Sequence, residues 1–113
     1  MPIETKPIQT IVFAPDDGGP APFDVWFNAL RDMKVLRTVI KRLATVRAGS
    51  LGDTKSVGDG VHELRIDVGE GHRIYYGRKG RTLVILLGGG SKKTQAADVK
   101  KAKAYWKEYQ SAH

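Results

Sequence analysis

The chain has 113 residues, 41% of them hydrophobic and 27% charged, which suits one small domain (1–113) with a single modest core. Nineteen Lys and Arg against twelve Asp and Glu leave a formal charge of +7, so polyanions or acidic proteins are the expected partners. Cysteine is absent, which excludes disulfides and thiolate metal sites, and His62, His72 and His113 have no metal-ligand spacing. No apolar run approaches the ~20 residues of a membrane span and no secretory signal is visible, so a cytoplasmic protein without a membrane partner is expected.

Ile8 to Phe13 reads as an opening strand, rich in β-branched residues. The stretch Ala14 to Pro20 is a loop by composition. Pro22 suits the first position of a helix, with Asp24 favouring the dipole, and that helix is expected to run to about Met33. Phe23, Trp26, Phe27 and Leu30 make its apolar face. A second helix, about Lys34 to Arg47, carries Leu36, Val39, Ile40, Leu43 and Val46 as its expected buried stripe. Arg31, Lys34, Arg37, Lys41, Arg42 and Arg47 decorate the remaining surface, and Gly49 is its stop. The two helices are close enough to form a hairpin.

Strands follow near Thr54–Val57, Val61–Val68, His72–Arg78 and Thr82–Leu87, joined by short glycine-bearing turns that make them antiparallel neighbours. Leu83 to Leu87 is apolar on both faces, as in a strand covered on both sides. Gly88-Gly89-Gly90 is expected to end that strand, and no Walker spacing follows it. A last helix should run from Gln95 to about Tyr109, with Val99, Ala102, Tyr105 or Trp106, and Tyr109 inward. Thr94 is its expected N-cap, and Gln95 and Asp98 are read as seating its first turn. The order describes an α+β fold: an N-terminal strand, a helical hairpin, an antiparallel sheet of about four to five strands and a C-terminal helix. The helices are expected on one sheet face, leaving the other partly open.

The chemistry concentrates in Val61 to Tyr76. Side chains alternate along a strand, so Leu64, Ile66, Ile74 and Tyr76 share one face, and Glu63, Arg65, Arg73 and Tyr75 the other. Two guanidinium forks beside a phenol suit a phosphodiester, because arginine matches phosphate oxygens in a bidentate way. A solvated sheet face with a cross-strand Arg–Glu pair gives the same pattern.

Several segments together resemble one known family. They are Phe23-x-x-Trp26, Gly49-x-x-Gly52-Asp53, Gly60-Val61-x-Glu63-Leu64-Arg65, Gly71-His72-Arg73-Ile74-Tyr75-Tyr76, and Gly88-Gly89-Gly90-Ser91-Lys92-Lys93-Thr94-Gln95-x-x-Asp98-Val99. In order and spacing these resemble the RelE/ParE superfamily of type II toxins, in its HigB-like addiction module killer branch, often phage-associated. The resemblance implies a toxin that enters the ribosomal A site and cleaves mRNA without a metal or other cofactor. In that reaction the ribose 2′-hydroxyl attacks the neighbouring phosphate. It also implies a cognate antitoxin, commonly a helix-turn-helix protein, through which the complex reaches operator DNA. By position, Arg73 matches an arginine on the scissile phosphate. Arg65 falls where the family places a basic residue, and Lys92 or Lys93 where a further cation would stabilise the transition state. Lys55 and Lys93 are candidates for gripping the RNA backbone. The family often has a tyrosine or histidine in the C-terminal segment as general base; here Thr94 to Val99 contains neither. Glu63, Tyr75 and, against strand parity, His72 are left for that role. On the same fold, a ParE-like gyrase inhibitor or an inert phage-derived RNA- or protein-binding module are the competing readings.

Overall fold

The computed structural model describes residues 6–113. Strands β1 (Gln9–Val12), β2 (Thr54–Gly58), β3 (Val61–Ile66), β4 (His72–Lys79) and β5 (Leu83–Ser91) form one sheet in the order β1-β5-β4-β3-β2. Helices α1 (Pro22–Asn28) and α2 (Met33–Arg47) pack on one face, and α3 (Gln95–Ala112) on the other. The α+β class and the chain order match expectation. Two features do not. The sheet is mixed, because β1 runs parallel to β5 while every other pair is antiparallel. The helices also cover both faces rather than one.

The division of the core explains the second difference. Alternation along β3, β4 and β5 sends Leu64, Ile66, Ile74, Tyr76, Val84 and Leu86 toward α2. The intervening Val61, Tyr75, Ile85 and Leu87 meet Ala102, Trp106 and Tyr109 of α3. A sheet with apolar residues on both faces needs a layer on each. The all-apolar run in β5 carried that signal.

The helices also differ in detail. Helix α1 stops at Asn28 rather than near Met33, because Asp32 begins a new helix. The Asp32 carboxylate accepts the Lys34 backbone N–H at 2.8 Å, a standard N-cap contact. The buried stripe of α2 is Val35, Val39, Leu43 and Val46, narrower than expected; Leu36 is half-buried and Ile40 is 52% exposed. Each of the four buried side chains contributes about 1.5–3 kcal/mol of burial. Inward on α3 are Ala102, Trp106 and Tyr109, with Val99 and Tyr105 packed beside them. Thr94 precedes α3 but makes no capping bond to its backbone.

The glycine triplet continues β5 rather than ending it. Gly88, Gly89 and Gly90 pair with Tyr75, Ile74 and Arg73, and a bulge between Tyr75 and Tyr76 precedes them. Their lack of side chains is used for close approach. A Cβ on Gly89 would lie 2.3 Å from the Trp26 ring, and one on Gly90 would collide with the Asp98 carboxylate. Gly77 has the same role on the α3 side, where a Cβ would lie 2.2 Å from the Trp106 ring. Among the described residues no helix is long and apolar enough to cross a membrane.

Candidate active site

Strand register builds the site in two rows on the α3 face. Lys55, Glu63, Tyr75 and Gly88 lie side by side across β2, β3, β4 and β5; Arg65, Arg73 and Gly90 form the next row. Helix α3 covers the far end of this face through Trp106 and Tyr109, and its first turn reaches Glu63 through Gln95.

Glu63 is the centre of the cluster and is 1% exposed. Its Oε1 accepts from Arg65 Nε–H at 3.2 Å. Its Oε2 accepts from the Gln95 side-chain amide at 3.1 Å and lies 3.2 Å from Arg73 Nε. The Arg73 contact is an ion pair without hydrogen-bond alignment. A buried carboxylate requires such partners. Both oxygens are therefore occupied, and the residue acts as an anchor between two guanidinium groups. A proton coming from a substrate would have to displace one of these donors.

The anchoring leaves the outer nitrogens of both arginines available. Among the described residues, neither Arg65 nor Arg73 gives a side-chain hydrogen bond from its Nη atoms. The Arg65 side chain is 40% exposed and that of Arg73 14%. Together they line a depression of about 260 Å³ with Asp53, Asp67 and His72. The two aspartates temper the positive charge there, and each fork still presents N–H donors that suit a phosphate.

Tyr75 is fully buried in the neighbouring row, and its hydroxyl has no partner among the described residues. Burial pushes the phenol up to about 12; the Asp98 and Glu63 carboxylates add to the rise and Arg73 opposes it. At neutral pH this group holds its proton and cannot accept another. His72 sits on the α2 face beside Ile66, half-buried, with its Nδ1 unpartnered among the described residues. Lys55 is exposed on β2 opposite Glu63. Lys92 and Lys93 are exposed in the 3-10 turn after β5, and the Lys92 backbone N–H donates to Gly71 O at 3.2 Å. Lys93 pairs with Glu70 at 3.3 Å on the surface. Register thus unites Lys55, Glu63, Arg65, Arg73 and Tyr75, and the turn holds Lys92 and Lys93 beyond the strand ends.

Gln95 joins this cluster although its position at the start of α3 predicts a helix-seating role. Its amide instead completes the shell around Glu63. A carboxylate between the apolar Val61 and Leu64 of a strand is the available signal, since burying it demands several donors.

The profile of the phage-derived Gp49-like family (DUF891) matches residues 26–110, and the chain belongs to that family. It is also 44% identical over 81 residues to an uncharacterized protein of Haemophilus influenzae, covering 72% of this chain and 82% of the relative. No solved structure matches it.

Proposed function

We propose that this protein is the toxin of a type II toxin–antitoxin module of the HigB-like branch, a metal-independent endoribonuclease that cleaves mRNA on the ribosome. One observation carries the reading: Arg65 and Arg73 are both tied to the buried Glu63 through their Nε atoms, which fixes two guanidinium groups side by side in residues that line an open depression. In the reaction, the ribose 2′-hydroxyl oxygen attacks the adjacent phosphorus and gives up its proton to water, while the bond to the 5′-oxygen breaks and that oxygen takes a proton from water. The products are a 2′,3′-cyclic phosphate and a 5′-hydroxyl. Charge accumulates on the phosphoryl oxygens as the bond forms, and fixed cationic donors stabilise that state more than the ground state. Arg73, the more buried fork, is the group for the scissile phosphate, with Arg65 beside it. Lys92 supplies further positive charge, and Lys55 and Lys93 grip the flanking backbone. Tyr75, protonated at neutral pH, is not the base.

The partners that follow are mRNA, the ribosome and a cognate antitoxin whose toxin-binding segment is acidic. Association with that antitoxin should weaken as salt rises. A binding-only module has one observation in its favour: neither Glu63 nor Tyr75 is fitted to take a proton.

Expression of the wild type and Arg73→Ala in an inducible bacterial host, with mRNA 5′ ends mapped by primer extension, separates these readings. New cleavage sites are expected with the wild type, and a reduction of about 10²–10³ with Arg73→Ala, the usual effect of losing one such donor. An Arg73→Ala protein that keeps the wild-type circular dichroism and still cleaves would sink the proposal. Growth arrest with intact mRNA would favour a topoisomerase target. Neither arrest nor cleavage would favour the binding module.

A further inference from the structure

Beyond α3's first turn, on the β5 side, lies a second cleft of about 410 Å³ that the phosphoryl chemistry does not use. Trp26 of α1 and Tyr105 of α3 contribute walls from opposite layers, and Gly89 and Tyr75 contribute the sheet side. The Trp26 ring can lie against the sheet only because Gly89 has no Cβ. Tyr105 is held by stacking on Phe13, with ring centroids 5.2 Å apart. Asp98 enters the lining from α3, its Oδ2 taken by Thr94 Oγ1 at 2.5 Å, and Lys101 lies one turn further on. Tyr75, whose buried hydroxyl lacks a partner, belongs both to this wall and to the row beside Glu63 and Arg73.

We propose that this cleft is a nucleobase pocket that sets the sequence preference of cleavage, taking a base whose edge donates N–H groups to Asp98, guanine above the others. The proposal rests on the RNA-cleaving reading above. Aromatic walls suit the flat faces of a base, and unpaired bases are typically read by stacking together with hydrogen bonds to their edges. Guanine offers both a ring N–H and an exocyclic amine to a carboxylate. Lys101 is placed for the negative charge of the attached phosphate. An extended peptide added to the outer edge of β5 is the rival occupant, because β1 pairs with that strand only as far as Leu86. The bulge that follows, at Leu87, breaks the regular ladder a docking strand would need.

The test uses the full-length wild-type protein with ¹⁵N-labelled tryptophan, titrated with GMP, AMP, CMP and UMP. Trp106, buried against Gly77, is the internal control. The expected result is movement of the Trp26 indole signal with GMP at the lowest concentration, a still Trp106 signal, and about tenfold weaker GMP binding in Asp98→Asn. Asp98→Asn should also redistribute the mapped cleavage sites. No movement of Trp26 with any mononucleotide overturns the proposal, as does equal movement of both indoles. Movement only on binding the antitoxin overturns it in favour of a peptide. GMP binding in a protein that cleaves no mRNA would keep the pocket and remove the nuclease reading. Arg73-dependent cleavage with no Trp26 response would do the reverse.

Discussion

The α3 side of the sheet is one face with two characters. At one end Val61, Gly77 and Ile85 meet Trp106 and Tyr109, and the contact is closed and apolar. A few residues along the same strands, Glu63, Arg65 and Arg73 form a charged cluster that only the start of α3 touches. Alternation decides which side chains reach this face, and the path of α3 decides which of them lose water. The comparison teaches that the charged end is as built as the apolar end. Its anchor, Glu63, is as buried as the side chains of the core.

Glu63→Ala should have the largest effect on this balance. Removing the carboxylate leaves Arg73 confined without a counter-ion, and the expected loss is about 3 kcal/mol or more by chemical denaturation. A loss below about 0.5 kcal/mol, the range of an exposed pair, would show the two ends to be unlike after all. Gly77→Ala attacks the apolar end. Its new methyl group meets the Trp106 ring, and about 1–3 kcal/mol should be lost while the arginine cluster keeps its geometry. Unchanged thermal stability in that variant would mean that α3 is not seated as described.

Tyr75 joins the two ends and gives the smallest and most specific effect. Its folded value of about 12 lies above the ordinary 10.0, so the folded state holds the proton longer than the unfolded state. The associated stability is complete below about pH 10 and is lost as pH rises toward about 12, on the order of 2 kcal/mol. Tyr75→Phe should therefore flatten the alkaline limb of stability between those values. At pH 7 it should be neutral or slightly stabilising, because the hydroxyl it removes has no partner. Parallel alkaline limbs for the two proteins would contradict the burial of this phenol.

Much of this was legible in the chain, for identifiable reasons. Strict alternation in Glu63 to Ile66 and Arg73 to Tyr76 fixes which side chains share a face, and the short glycine turns fix their register. That Arg65 and Arg73 share a face followed from that alone. Three things did not follow. Whether β1 lies parallel or antiparallel to β5 is set by tertiary packing, and nothing in Ile8 to Phe13 encodes it. The triplet Gly88 to Gly90 has the composition of a strand exit. It stays in the sheet because Trp26 and Asp98, distant in sequence, occupy the space its side chains would fill. Gln95 meets Glu63 across 32 positions, a contact that helical periodicity in Gln95 to Tyr109 does not reveal.

The parallel pairing of Gln9 with Leu83 also imposes an order on synthesis. The first strand leaves the ribosome early and must wait for the fifth before it has a neighbour. The donor that completes the shell around Glu63 belongs to the helix made after that, so a nascent chain cannot assemble the arginine cluster in full until Gln95 has been translated. Such long-range closure also slows folding. For a protein whose proposed target is the translation machinery itself, the site is thus made whole only by a segment that emerges after every strand of the sheet.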